Sequence, residues 1–208
     1  MNQSQFQQAA GISASLAARW FPHVVAAMKE FGINLQLDKA MFIAQVGHES
    51  AGFSATVENF NYSVQALINT FVPKRLSRDQ ALMLGRKPGE SPLSIERQRA
   101  IANLVYQKRF GNNLAGDGWK YRGRSLIQTT FLDNYRATGS GIKLDLVSQP
   151  ELLEKDEHAA RAAAWFFVSK GCLRWSNDVA RTTLIINGGD NGLVDRTARY
   201  RLARAVLV

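Results

Sequence analysis

Apolar residues recur at helical spacing along most of this chain. Leu16, Trp20, Val24, Ala27 and Phe31 share one face of a segment that Ser13 or Ser15 can cap and that runs to about Glu30, where Gly32 stops it. A second helix is expected from Asp38, read as its N-cap, through MFIAQVGHES. It is apolar nearly all round, and Ala40, Ala44 and Gly47 permit close packing, which predicts a central helix. Past Gly52 the period disappears, and ATVENFNYS reads as a strand or extended loop. Helical patterns return over residues 64–113, broken by RKPGESP at 86–92. GNNLAGDGWKYRGRS is a glycine-rich polar loop, and LIQTT is too short for more than a strand or a first helical turn. Further helices are expected over about 155–170, 176–186 and 193–208. The pattern predicts one mainly α domain with a small β element. Residues 1–63 and 114–208 would form a large lobe and 64–113 a smaller helical lobe.

The 208 residues include 26 Lys and Arg against 17 Asp and Glu, a net charge of +9. Anionic partners are therefore favoured: nucleic acid, an acidic membrane, or an acidic wall polymer. The single Cys172 allows no internal disulfide and is expected to be a small buried filler. The first 20 residues lack a basic segment followed by an apolar one, so no signal peptide is predicted. No apolar run approaches the roughly 20 residues that span a bilayer. Synthesis and folding in the cytoplasm are expected.

One segment is out of keeping with a buried helix. AQVGHESAGF, residues 44–53, carries His48, Glu49 and Ser50 together. Apolar surroundings and the negative end of the helix dipole would both disfavour a charged Glu49, raising its pKa as a general acid requires. The plain alternative is a surface glutamate at a helix end. Glu58 is the natural partner. On one unbroken helix the nine-residue separation would place the two about 180° apart. They can face each other only if the chain breaks between them, and Gly52 supplies a break. Two carboxyls across a cleft, roughly 6.5–9.5 Å apart, are what inverting glycoside hydrolysis needs. Asn59, Asn61, Tyr62 and Ser63 offer hydrogen bonds and an aromatic face suited to a sugar. Other chemistries fit poorly. His48-Glu49 begins an HExxH pattern, but Gly52 stands where the second zinc ligand would be. With three histidines and no carboxylate–histidine cluster, no metal site is expected. His48 is read as a packing or hydrogen-bonding residue. There is no G-x-S-x-G elbow or phosphate loop, and no cofactor is expected.

Taken in order, AQVGHESAGF, VENFNYS, GDGWKYRGRSLIQTTFLDNY and INGG resemble the motifs of glycoside hydrolase family 19, in its phage endolysin and bacterial chitinase-like branch. The resemblance runs from about residue 35 to 199. It implies the lysozyme-like α+β fold, a two-lobed helical body with a small β region and a cleft between the lobes. It implies Glu49 as general acid and Glu58 as general base. Thr130 stands where a hydroxyl helps hold the attacking water. Gln128 and Asn134 match substrate-binding and water-positioning residues, Asn187 of INGG a sugar-binding asparagine, and Arg196 a cleft arginine. The chain reads HESAG where chitinases often have HETGG or HETTGG, and GRS where GRG is usual; the long loops of plant chitinases are absent.

These departures and the net charge point to peptidoglycan, whose lactyl and peptide carboxylates attract a basic protein. Trp119 and Tyr121 are expected to stack on sugars, and Lys120, Arg122 and Arg124 to meet carboxylates; the alternative is a structural turn with solvated bases. The leading expectation is a monomeric endolysin of the muramidase or lysozyme type. It would cleave peptidoglycan glycan strands and reach the wall after release, in a holin-dependent manner. A chitinase is the near alternative. A non-catalytic wall or nucleic-acid binder is the distant one, and no basic-aromatic repeat or DNA-binding motif supports nucleic acid. LVDRTARYRLARAVLV is read as a helix docked on the core in preference to a membrane-active one.

Overall fold

The computed structural model describes residues 1–208. Its first helix, α1 (Gln3–Ala10), is too polar to show in apolar spacing and is set by its ends. Asn2 and Gln5 form a reciprocal capping box, and Gly11 closes the helix at φ 62°. Ser13 caps α2 (Ala14–Glu30) by accepting the Leu16 amide, and Trp20, Val24 and Ala27 are buried as their spacing predicts. The next helix, α3 (Gln36–Glu49), starts ahead of the expected cap. Leu35 is the N-cap, and Asp38 lies buried in the first turn. The Asp38 carboxylate accepts from the Ser176 hydroxyl at 2.6 Å, so it ties the helix to a distant segment instead of capping it. Every residue from 40 to 47 is buried, making α3 the central helix.

Serines 63, 77 and 94 cap α4 (Val64–Phe71), α5 (Arg78–Leu84) and α6 (Ile95–Tyr106). After the four-residue α7 (Asp117–Lys120) come α8 (Leu132–Ile142), α9 (Asp156–Ser169), α10 (Val179–Asn187) and α11 (Leu193–Leu207), with 3₁₀ turns at Pro150–Glu154 and Cys172–Trp175. The expected β element reduces to four isolated bridges, including Val57 with Arg124 and Arg124 with Thr129, so LIQTT belongs to a tight turn. The fold is mainly α.

Three apolar clusters hold these elements. The largest gathers α1, α2, α3, α9 and α11, with Phe42 and Phe167 edge to face at 5.5 Å. The second draws on Phe60, Leu67, Leu84, Ile101 and Val105, with Tyr106 and Trp119 packed against it. The third joins Tyr121, Leu132, Tyr135 and Leu153. Helix α8 carries Gly139 and Gly141, which lower helix propensity by roughly 1 kcal/mol each relative to Ala. Its packing explains them: a Cβ on Gly141 would lie 2.0 Å from the Trp165 indole nitrogen, and one on Gly139 2.6 Å from the Leu144 carbonyl. The last helix, α11, packs on α3 and α1 and buries Arg196, Tyr200, Ala203 and Leu207. No helix is long and apolar enough to cross a membrane.

Candidate active site

The break after α3 lies where the glycine placed it. Ala51, Gly52 and Phe53 all adopt left-handed backbone, at φ 49°, 72° and 62°. Two hydrogen bonds pin this turn: the Trp20 indole donates to the Phe53 carbonyl at 2.8 Å, and the Phe53 amide donates to the Ser50 hydroxyl at 2.8 Å. Glu49 is therefore held at the helix terminus, its side chain 21% exposed. Its surroundings are not the apolar ones its sequence context predicts. The Glu49 carboxylate receives Nη2 of Arg196 from α11, while Nη1 of the same arginine donates to Gln45 Oε1 at 2.5 Å, one turn earlier on α3. Arg196 is only 1% exposed. It thus braces Glu49 from below and presents nothing to a sugar, a correction to its expected role as a cleft contact. Beside it, His48 Nδ1 lies 2.7 Å from Asp195, which also accepts from Arg199 at 2.8 Å, so α3 and α11 are joined along a polar seam.

Glu58 sits on the extended segment beyond the turn. Its amide donates to the Gly123 carbonyl at 2.9 Å, and the Gly123 amide donates to its Oε2 at 3.0 Å. The Tyr106 hydroxyl at the end of α6 donates to Oε1 at 2.7 Å. Burial pushes the Glu58 carboxyl above the ordinary carboxylate range, against the lowering influence of Tyr106, Gly123 and the charge of Arg122. Burial and the nearby Glu58 push the Tyr106 phenol well up, so it remains a donor. Gly123 lets the two side chains close in: a Cβ there would lie 2.7 Å from Gln128 Oε1 and 3.1 Å from Glu58 Oε2, so both would have to shift. Gln128 and Glu58 thus flank one glycine.

From Gln128 the site continues by hydrogen bonds. Thr130 Oγ1 donates to the Gln128 carbonyl at 2.8 Å, and Asn134 Nδ2 donates to the Thr130 carbonyl at 2.8 Å. With its proton committed to the backbone, the Thr130 hydroxyl keeps lone pairs to accept from a water. Gln128, Thr130 and Asn134 line a cavity of about 260 Å³ with Trp165, Phe166 and Ile186; neither glutamate lines it. Asn187, beside Ile186, is exposed at the end of α10. Glu49 and Glu58 share no hydrogen-bonding partner: one is held by α11, the other by α6 and the 121–124 loop.

The aromatic and basic residues of that loop behave differently from expectation. Tyr121 is 3% exposed and donates its hydroxyl to the Val147 carbonyl at 3.0 Å. Arg124 is 4% exposed and donates to Glu154, the Lys120 carbonyl and the Tyr135 hydroxyl. Neither can meet a sugar or a wall carboxylate, because the loop folds inward against the third cluster. Trp119 is half-buried, with the Arg122 guanidinium 4.0 Å over its ring, so a cation covers one face of the indole. Tyr62 is half-buried and edge-on to Phe71 at 5.5 Å. Three supporting residues escaped the sequence reading. Gln45 had a signal, a polar residue one turn from Glu49 on an apolar helix. Gly123 had a weaker one in GRS, and Tyr106 had none.

No protein-family model matches the chain. A Haemophilus influenzae protein named glycosyl hydrolase family 19 domain-containing protein is 36% identical over 196 residues, covering 87% of this chain and 90% of that one. Among solved structures, chitinase C from Streptomyces griseus superposes with a TM-score of 0.60 at 18% identity, over 99% of this chain and 76% of that chain. A class IV chitinase from Zea mays superposes with a TM-score of 0.50 at 17% identity, over 100% and 81%. The two structures show a shared fold.

Proposed function

Because this chain belongs to glycoside hydrolase family 19, we propose that it is an endolysin of the muramidase type. It would hydrolyse the β-1,4 bonds of peptidoglycan with inversion. The chain is a glycoside hydrolase; the bond and the biological setting are our reading. The observation that carries the mechanism is the separate bracing of two glutamates on either side of a chain break, Glu49 by Arg196 and Glu58 by Tyr106 and Gly123. In this reading Glu49 protonates the leaving oxygen. Glu58 accepts a proton from a water that Thr130 helps to hold, and the water attacks the anomeric carbon from the opposite face. Gln128, Asn134 and Asn187 supply polar contacts to the sugars, and the half-buried ring of Tyr62 an aromatic edge. The net charge of +9 favours an acidic polymer over neutral chitin. An endolysin made in the cytoplasm reaches that polymer only after release through a membrane lesion of the holin kind.

Purified peptidoglycan and N-acetylglucosamine oligomers, each digested and analysed by mass spectrometry, test the bond. Products with reducing N-acetylmuramic acid are expected. Reducing N-acetylglucosamine, or activity on the oligomers alone, would make the enzyme something other than a muramidase.

One observation favours exchanged roles: burial raises Glu58, which suits a proton donor. Tyr106→Phe decides between the two. The hydroxyl lowers the Glu58 pKa, so its loss raises it further. If Glu58 is the base, it must be ionised to act, and the acidic limb of the kcat/KM profile moves to higher pH. Movement of the alkaline limb in its place would reverse the assignment.

A further inference from the structure

Residues 64–113 contain nine Lys and Arg against three Asp and Glu, far from an even share of the charge. Most are exposed and solvated, which is the ordinary fate of basic residues. Arg109 is different. It follows α6 in a tight turn where the Lys108 amide donates to the Asn112 carbonyl at 2.7 Å and the Asn112 amide donates to the Arg109 carbonyl at 2.8 Å. Its half-buried guanidinium lies 4.8 Å over the Phe131 ring and 5.6 Å over Phe110. Phe131 directly follows Thr130 and stands edge-on to Tyr106 at 4.9 Å, and Tyr106 holds Glu58. An unbroken line of contacts therefore runs from Arg109 to Glu58.

No carboxylate in the chain pairs with Arg109. Asp133, whose amide donates to the Phe110 carbonyl, turns its side chain to Arg136. The neighbouring charge is another cation, the exposed Arg75; burial and Arg75 together lower the Arg109 pKa. Neither Arg75 nor Arg109 has a carboxylate partner, so an arriving anion meets two uncompensated cations. A guanidinium lying over an aromatic ring keeps its in-plane donors free for a carboxylate.

We propose that Arg75 and Arg109 form a subsite for carboxylates carried on the glycan, the free acids of the peptide stems. The inference rests on the peptidoglycan reading above and names which part of that polymer this edge of the site recognises. A neutral N-acetylglucosamine chain has nothing to place there.

The test uses soluble, amine-acetylated peptidoglycan strands in two forms, with stem carboxylates free or converted to methylamides. The wild-type enzyme is expected to prefer the free form about tenfold in kcat/KM, mainly through KM. Arg109→Gln and Arg75→Gln should each bring that preference toward unity, and Arg109→Lys, which keeps the charge without the planar fork, should retain only part of it. Arg75 is exposed, so its variant is not expected to disturb folding, and thermal melting checks both. Equal cleavage of the two forms by wild type, or a preference that survives both glutamine variants, overturns the subsite while leaving the peptidoglycan reading in place. A wild-type enzyme that cleaves neither form overturns that reading, and the subsite with it.

Discussion

Glu49→Gln is expected to slow peptidoglycan hydrolysis about 10³-fold, equivalent to ~4 kcal/mol of transition-state stabilisation, with the fold retained. An N-acetylhexosamine alkoxide is a poor leaving group, so the loss of its proton donor falls almost wholly on the chemical step. The choice of glutamine matters because of Arg196. That guanidinium is buried, and removing its partner outright would leave a charge in the interior, at a cost of several kcal/mol. The amide of glutamine still offers a carbonyl oxygen to Nη2, and Gln45 still accepts from Nη1. Circular dichroism and thermal melting should therefore resemble wild type. With an oligosaccharide carrying a dinitrophenyl leaving group, which departs without protonation, most of the deficit should disappear. An unchanged rate on peptidoglycan, or an equal deficit on the activated substrate, would remove Glu49 from the role of acid.

Glu58→Gln is expected to lower kcat by about 10²–10³-fold on both kinds of substrate, since a base that activates water is needed whatever the leaving group. The site tolerates the amide well: its carbonyl accepts from the Gly123 amide, and its NH₂ donates to the Tyr106 oxygen in place of the bond that ran the other way. Shortening the side chain in Glu58→Ala opens space beside Gly123 and Gln128. Azide should then restore turnover and give a glycosyl azide of inverted configuration. Retained turnover in Glu58→Gln would assign the base to another group, and an azide product of retained configuration would exclude direct displacement.

Legibility from sequence differed from one part of the chain to another. The end of α3 at Glu49 and the break that follows were both readable, because an apolar run, a helix length and a glycine are local features. Helix α8 was not readable, although it carries Asn134. Its two glycines speak against a helix, and they are there because Trp165 and Leu144 leave no room for a side chain. The loop 119–124 has the composition of a polar, sugar-facing element, yet the fold turns Tyr121 and Arg124 inward.

The sequence by itself determined the mainly α class, the position of both glutamates about a break in the chain, and the family. These follow from periodicity, capping and motif order, which act over a few residues or in linear sequence. Only the tertiary structure decided what each carboxylate rests on. Arg196 meets Glu49 across 147 residues, Gly123 meets Glu58 across 65, and Tyr106 meets Glu58 across 48. It also decided that Tyr121 and Arg124 are buried while Arg109 keeps its guanidinium without an acid. The physical reason is that tyrosine and arginine carry an apolar body with a polar end. The same residue can cap a core, brace a carboxylate or face solvent, and the long-range packing around it makes the choice.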